Sequence, residues 1–454
     1  MRSRRGRLLG AGAAILTIAF LMTARAKAAS SAAAAGAITY IGVDNNIYYC
    51  PSGCAKPDCL TCPIEGEHVR RNGAGSIRAA AFRAAAEPTQ SEEPASQYGW
   101  PTFSPDATRI AYSSITRTRG TPGVSFGLWV YDLKQREATQ IFESKHEKVD
   151  YIYWLPDGRH ISFLLNEPAG LSLMIAEVKE HAPIRIVMTG VPVYFAWGPA
   201  PGLLAAHVSG ADSESSERVE LVTLTETNQV VDKVLSHGRS PFKAPCWSPD
   251  GKHLAWVANN HAEANLVVAD ADAQHPRSIV SLPIGDNSFQ WSPDSRHIAY
   301  ATTVIPHDPT FHEIKLVDID DATSRTLTRD TVAAYFFSPD ARYLAFIGVP
   351  EDKPFYTWEL IDLKSGKSRA LGNFVSTQEE SVSYRFFDQL ALSHSIWSPD
   401  SKVIVYAGVR LLAEPTQELR TTPPPSVWSV PIDGSAPHSI GEGVAAFYSP
   451  AAEK

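Results

Sequence analysis

Short apolar runs alternate with compact polar turns along most of this chain. The clearest example is the stretch 245–256, where Cys246-Trp247 precedes the turn Ser248-Pro249-Asp250-Gly251 and the apolar run Leu254-Ala255-Trp256 follows it. Apolar runs of this length, bounded by Pro, Asp and Gly, are typical of β-strands joined by tight turns. The pattern therefore predicts a strand, a turn and a second strand here.

The same pattern returns along the chain at intervals of about 40 to 60 residues. The aromatic residue before the turn occupies these positions: Phe103, Trp154, Trp197, Trp247, Trp291, Phe337, Trp397 and, in a worn last copy, Tyr448. Such periods, with four short strands per repeat, are typical of β-propellers. In the fourth copy we predict strands A to D at 244–247, 253–257, 265–269 and 278–282.

The turn residues each have a physical role. Proline presets φ, aspartate caps the turn with its own side chain, and glycine takes a positive φ. Where Ser295, Ala341 and Ser401 replace the glycine, we expect an altered or strained turn. The preceding aromatic residue is suited to packing between neighbouring blades.

The two ends of the repeat region complement each other. Tyr448 is the end of an A strand with no further strands after it, whereas 38–49 contains a B and C pair with no A strand before it. One blade built from both ends would close the ring and remove its open edges. We predict a single all-β propeller, most simply of eight blades with seven as the alternative. The predicted segments are a signal peptide 1–28, a linker 29–37, the propeller 38–450 with a flexible insertion 70–97, seven full repeats 100–443, a closing strand 444–450, and a tail 451–454.

The first 28 residues have the features of a secretory signal. A basic segment ends at Arg7, an apolar segment follows, and Ala26-Lys27-Ala28 resembles a cleavage site. The alternative is an uncleaved anchor, and Ser3-Arg4-Arg5 leaves open whether export uses the twin-arginine route. Removing these residues would change the formal charge from −8 to −14. We expect a periplasmic or secreted monomer that binds neither nucleic acid nor, after cleavage, a membrane.

Antiparallel strand order places the A–B and C–D turns on one face, the plain face, and the B–C and D–A loops on the opposite, long-loop face. The long loops of this chain all fall on the second face, at 116–127, 210–218, 305–312, 351–356, 376–394 and 411–426. Since function concentrates in variable loops on rigid scaffolds, we expect a protein partner or small ligand to bind there, near the axis.

The candidate ligand-binding residues lie at that face. Trp100, Tyr151, Tyr194 and His394 begin A strands, and their rings either bind a sugar or peptide side chain or fill the mouth of the channel. His307 and His312 bracket a loop that has the donors for a metal but no characteristic spacing, so we predict no metal or other cofactor. Arg385 and Asp388, like Arg117 and Arg119, are ligand anchors or simple surface charges.

Four cysteines lie within thirteen residues. Cys50, Cys54, Cys59 and Cys62 have the spacing C-x3-C-x4-C-x2-C, which suits two disulfides or a metal cluster. An exported protein meets an oxidising compartment, which favours disulfides. Three pairings are possible. Cys246 is predicted to be a buried free thiol.

The pattern Trp-Ser-Pro-Asp-Gly-Lys-x-Leu-Ala-Trp resembles the WD-repeat-like propeller repeat of the TolB family, over about 38–450. Similar repeats occur in the propellers of prolyl oligopeptidase relatives. The small α/β domain that precedes the TolB propeller is not recognisable here. The resemblance implies a periplasmic propeller that binds or scaffolds without catalysis, and it supplies no catalytic residue. The alternative is a propeller hydrolase or polysaccharide lyase whose site lies on the long-loop face.

Overall fold

A computed structural model describes residues 36–450 apart from 53, 64–76, 79–95, 118–122, 210–216, 226–229, 238–242, 260–262, 284, 286, 304–309 and 413–422. The signal peptide, most of the linker, and His307 therefore lie outside the described residues. Almost all regular structure within the described ranges is antiparallel β-sheet.

Five sheets follow the chain order of the repeats. The first three strands of the chain are β1 (Ile38–Gly42), β2 (Ile47–Cys50) and β3 (Asp58–Cys59), and they belong to the ring closure described below. The next sheet contains β4 (Ile77–Arg78), β5 (Ser96–Phe103), β6 (Arg109–Arg117), β7 (Val124–Asp132) and β8 (Glu137–Ser144). The following sheet contains β9 (Lys148–Trp154), β10 (His160–Glu167), β11 (Gly170–Glu177) and β12 (Ile184–Gly190). After it come β13 (Val193–Trp197), β14 (Leu203–Val208), β15 (Arg218–Leu224) and β16 (Val230–His237).

The fourth repeat matches the strands predicted for it. It contains β17 (Cys246–Trp247), β18 (His253–Asn259), β19 (Ala264–Asp270) and β20 (Arg277–Leu282). The fifth contains β21 (Asn287–Trp291), β22 (His297–Thr302), β23 (Ile314–Asp318) and β24 (Ser324–Thr328). Strand β4 and the start of β5 lie inside the segment 70–97 that we predicted to be a flexible insertion, and β4 pairs with β8.

The remaining strands form one continuous sheet that includes the chain ends. Its members are β25 (Val332–Phe337), β26 (Tyr343–Gly348), β27 (Tyr356–Asp362), β28 (Ser368–Ser376), β29 (Val403–Leu411), β30 (Ser426–Pro431) and β31 (His438–Tyr448), followed in space by β1, β2 and β3. The first part of β31 pairs with β30, and its second part pairs with β1, with Tyr448 opposite Ile38. The chain ends therefore meet in one sheet, as the sequence predicts, while the number of blades stays a prediction.

The recurring turn is built by its own side chains. Ser248 Oγ donates to Asp250 Oδ1 at 2.6 Å, and the same carboxylate oxygen accepts from the Lys252 N–H at 3.1 Å. Gly251 has φ +71°, and Ser295, Ala341 and Ser401 have φ 59°, 58° and 62° at the matching position. The turn thus keeps its shape where glycine is missing, and the replacement residue takes the left-handed conformation, so the expected strain is confirmed.

The aromatic residue before the turn joins neighbouring repeats. The indole N–H groups of Trp154, Trp291 and Trp397 donate to backbone oxygens of the preceding A strand, at 3.0 Å to Thr102, 3.1 Å to Cys246 and 3.2 Å to Phe336. All three rings are buried. The residue therefore packs between repeats as predicted and also satisfies a backbone carbonyl there.

A helical insertion interrupts the path from β28 to the next A strand. It contains α1 (Gln378–Arg385) and α2 (Phe387–Leu390), after which the chain rejoins the sheet near Ser395. The sequence predicted only a long loop for 376–394. Within the residues that the structure describes, no helix is long and apolar enough to cross a membrane.

Candidate functional site

The side chains at the inner ends of the A strands differ in size around the channel, with bulky residues in the first three repeats and small ones in the next three. The residues three positions before the motif aromatic are, in order, Trp100, Tyr151, Tyr194, Ala244, Ser288, Ala334, His394 and Ala445. Side chains of the insertion contact both sides: Phe387 packs against Tyr335, next to Ala334, and Ser393 contacts Tyr151. The candidate aromatic residues and the insertion therefore fill one space together.

Trp100, Tyr151 and His394 are brought together by the structure. The Trp100 ring lies 6.4 Å from that of Tyr151 and 6.1 Å from that of His394, between centroids. Trp100 is half-buried and has φ 53°, which is uncommon for a bulky residue. A register shift in β5 between Gly99 and Thr102 accompanies this conformation.

His394 and Tyr151 are both engaged in packing. His394 Nε2 lies 3.1 Å from Thr102 Oγ1 and its Nδ1 lies 2.7 Å from Ser393 Oγ. Burial lowers the pKa of His394 to about 3, so its ring is neutral at physiological pH. The Tyr151 hydroxyl contacts Ser393 Oγ at 2.8 Å and donates to the Gln389 backbone oxygen at 3.2 Å.

The insertion fills the channel with apolar and amide groups. The Phe387 ring packs against Tyr335, Phe336 and Phe311 at centroid distances of 4.8, 5.9 and 6.1 Å. Gln389 bonds the backbone of Phe195 twice, since its Oε1 accepts from the N–H at 2.9 Å and its Nε2 donates to the oxygen at 2.7 Å. This side-chain amide imitates a strand partner, which fixes the insertion to the inner wall.

Asp388 and Arg385 have different surroundings although both lie on the insertion. Asp388 is buried, and its Oδ2 lies 3.8 Å from Lys243 Nζ. That ammonium also lies 5.6 Å from the centre of the Phe311 ring. Arg385 is exposed. The neighbouring Phe386 is also exposed and its ring lies 6.4 Å from that of Tyr194.

The predicted histidine loop is described only in part. His312 is half-buried, and its N–H donates to the Thr302 oxygen at 3.3 Å. His307 lies in the undescribed segment 304–309. The described ranges contain no group of three His, Cys, Asp or Glu side chains placed to hold a metal ion.

The cysteine cluster forms two disulfides. Of the three possible pairings the structure has Cys50–Cys54 and Cys59–Cys62, in the loop after β2 and around β3. Cys246 is a buried free thiol. Burial is the main cause that raises the pKa of this thiol, with Asp388 adding to it.

Sequence reasoning missed the residues that fasten the insertion, namely Glu380, Phe387 and Gln389. One signal was available, because Thr377 and Glu380 have the T-x-x-E spacing of a helix capping box. Thr377 is indeed the N-cap of α1, with its Oγ1 accepting from the Glu380 N–H at 3.1 Å.

Sequence reasoning also found no G-x-S-x-G pattern of a hydrolase nucleophile elbow, and this was wrong. Gly123-Val124-Ser125-Phe126-Gly127 fits G-x-S-x-G. A nucleophile elbow needs a sharp turn between a strand and a helix. Ser125 instead lies in β7, paired with Thr116, and its Oγ donates to Glu143 Oε1 at 2.7 Å. The pattern here is therefore part of an ordinary antiparallel strand.

No protein-family model matches the chain. A 99-residue segment, 21% of this chain, is 28% identical to "Uncharacterized peptidase YuxL" of Bacillus subtilis, and the match spans 15% of that protein's length. The activity of that protein is therefore no guide to the activity of this one.

Several solved structures are similar in fold. A structure from a study of two prolyl endopeptidases has a TM-score of 0.52 at 12% identity, covering 78% of this chain and 50% of that one. TolB from Acinetobacter baumannii has a TM-score of 0.39 at 17% identity, covering 76% and 83%. An oligogalacturonate lyase in complex with manganese has a TM-score of 0.42 at 12% identity, and the match covers 76% of this chain and 78% of that one. With the antiparallel repeats and the closure described above, the chain is a β-propeller, and TolB is among the structures that it resembles.

Proposed function

We propose that this protein is an exported β-propeller that binds a protein partner on its long-loop face without catalysing a reaction. The distribution of exposed apolar side chains supports this most directly. Seven large apolar residues are exposed among the described residues, and five of them lie on that face, whereas the other two, Ile186 and Val234, lie on outer D strands. The five are Val43, Val191, Val382, Phe386 and Leu412. Apolar groups gathered on one surface are typical of a binding site.

The centre of this surface has the composition of a binding hot spot. Phe386 contacts Tyr194, Val382 lies one helical turn earlier on α1, and Arg385 is exposed beside them. Aromatic and arginine side chains carry much of the energy at protein interfaces. Gln389 and His394 fasten the insertion to the channel wall, which holds the patch at this face while the insertion is in place.

Two further observations support a binding role outside the cytoplasm. The His394 imidazole and the Tyr151 hydroxyl, which would be candidates for acid–base chemistry, are engaged in buried contacts: His394 with Thr102 and Ser393, and Tyr151 with Ser393. The two disulfides are typical of proteins from oxidising compartments.

The test is capture of extracytoplasmic proteins from the source organism on immobilised protein, compared between three forms. These are the wild type, the double variant Arg385→Glu with Phe386→Glu, and Ile186→Glu as the matched control. Ile186 is more exposed than Phe386, 64% against 40%, but lies on an outer strand. We expect a captured partner whose affinity drops at least about tenfold, or 1.4 kcal/mol, in the double variant only.

Equal capture by all three forms would place the interface elsewhere. The competing enzyme function is tested with glycan and peptide panels. Turnover that persists in the double variant, with no partner captured by any form, would overturn the proposal.

A further inference from the structure

Strand β29 changes its inner neighbour along its length. Its last residues, beginning at Gly408, pair with the end of β28, whereas Ile404 near its start pairs with Trp397. Between these two contacts the chain leaves the sheet as the insertion. The N–H of Ala407 therefore faces this gap, where a continuous A strand would supply a carbonyl.

The carboxyl group of Glu380 occupies that gap. Its Oε1 accepts from the Ala407 N–H at 2.9 Å, and the Ala446 N–H of β31 lies close enough to the same carboxyl group to lower its pKa. Glu380 is 1% exposed. One side chain thus replaces a piece of strand and bridges β29 to β31.

The first turn of α1 is attached to the closing strand at a second point. Thr377 Oγ1 donates to the Val444 oxygen at 2.6 Å. Val444 lies at the register shift in the part of β31, from Gly443 to Tyr448, that pairs with β1 and so joins the first and last strands. The insertion therefore fastens the sheet at the seam of the ring.

The groups around Glu380 determine the pKa of its carboxyl group. Tyr384 of α1 and Tyr406 of β29 face Glu380, and Glu379 lies on the same helix. Arg410 of β29 lowers the pKa of Tyr406. Burial raises the pKa of Glu380 to about 8, and Glu379 adds to this, while the backbone donors and Tyr384 oppose it. A buried carboxylate is costly, so the closed arrangement holds the proton more tightly than water does.

We propose that Glu380 is a proton-dependent latch: protonated, it holds the insertion in the channel and the seam closed, and loss of its proton releases the insertion. In the open state the carboxyl group is in water and ionises near its ordinary value of 4.5. Opening therefore releases a proton between about pH 4.5 and pH 8, and the latch is strongest at the acidic end of this window. The latch does not depend on the partner proposed above.

Cys246 is a built-in reporter of opening. It lines a cavity of about 210 Å³ on the plain-face side of the channel together with Leu392 of the insertion and the rings of Tyr153, Trp197 and Trp247. Its side chain is buried while the insertion is in place. Release of the insertion would remove Leu392 from one wall of this cavity, so the thiol would become more exposed and would react faster with a small reagent.

The test measures the rate at which a small uncharged thiol reagent modifies Cys246 between pH 5.5 and 9, in the wild type and in Glu380→Gln. Both proteins carry the same thiol, so the pH dependence of Cys246 ionisation cancels in the ratio of their modification rates. We expect the ratio, set to one at pH 5.5, to rise about tenfold per pH unit and to level off near pH 8. Glu379→Gln, a change at an exposed neighbour, should keep most of this rise.

A second measurement needs no variant. Hydrogen exchange at the Ala407 and Ala446 amides of the wild type, corrected for intrinsic pH dependence, should show the same rise, whereas a core amide such as Leu316 should not. A rate ratio that stays at one, or corrected exchange at Ala407 that is independent of pH, would overturn the latch. If Glu380→Gln does not fold, the exchange measurement decides.

Discussion

The tight turns store strain at single residues. Ala341 occupies the position that is glycine in the fourth repeat and has φ 58°. A Cβ atom in this conformation approaches the backbone closely, which costs roughly 1 kcal/mol relative to glycine. Ser401 has φ 62° but gains a contact, because its Oγ accepts from the Asp340 N–H at 3.0 Å in the preceding turn.

Ala341→Gly should therefore raise the free energy of unfolding by about 0.5–1 kcal/mol, even after the added flexibility of the unfolded chain. Urea denaturation measures this. Ser401→Gly is the control, since the same relief is offset by the lost hydrogen bond to Asp340. Equal stabilisation by both variants would show that this bond contributes nothing.

The sequence was sufficient to predict the turn but not the bonds between turns. Proline, aspartate and glycine act on their own backbone, so their roles follow from local order. The contacts from Ser295 to Asp250 and from Ser401 to Asp340 join residues of different repeats. They depend on how neighbouring sheets are placed, which no local pattern encodes.

At the scale of elements, the motif tryptophans join one sheet to the next. Trp291 fills the space between β17 and β21 and donates its N–H to the Cys246 oxygen at 3.1 Å. Removing the donor while keeping an aromatic ring would leave that buried carbonyl without this partner.

We expect Trp291→Phe to lower the free energy of unfolding by about 1–3 kcal/mol. Trp256→Phe is the matched control, because Trp256 is also buried and its Nε1 has no hydrogen-bond partner among the described residues. Trp256→Phe should lower the free energy of unfolding by less, since the N–H that it removes makes no hydrogen bond within the described residues. Chemical denaturation of both variants distinguishes the hydrogen bond from lost ring volume, and equal costs would contradict the assignment.

The insertion is the element that sequence reasoning described least well. The T-x-x-E spacing at Thr377 indicates a helix start, but nothing local indicates that the helix enters the channel. Its position depends on contacts with distant repeats, such as those of Phe387 with Tyr335 and of Gln389 with the Phe195 backbone. That complementarity appears only once the repeats are arranged around an axis.

At the scale of the whole molecule, the cysteines report whether both disulfides have formed. With Cys50–Cys54 and Cys59–Cys62 formed, Cys246 alone should be alkylated in denaturant without reductant. All five cysteines should react after reduction. Intact-mass spectrometry counts the added groups, and more than one group without reductant would contradict the pairing.

The overall fold was largely predictable because repetition carries the information. Leftover strands at 38–49 and at Tyr448 were enough to predict that the chain ends share a sheet, as β1 and β31 do. The candidate site was predictable only in part. Aromatic residues at the channel mouth were identified, but Tyr151 and His394 are buried by the insertion, and Phe386 supplies the exposed ring instead.

The pairing of β1 with β31 also constrains the order in which the strands can assemble during folding. Strands β1 to β3 are made early, yet β1 obtains its inner neighbour only when β31 is available. Pairing between such distant segments is slow, because the entropy of closing a long loop is lost before any stabilising contact forms. Each central repeat, by contrast, is a local meander that needs no distant strand. The joining of the first and last strands should therefore be the late, rate-limiting event in the folding of this propeller.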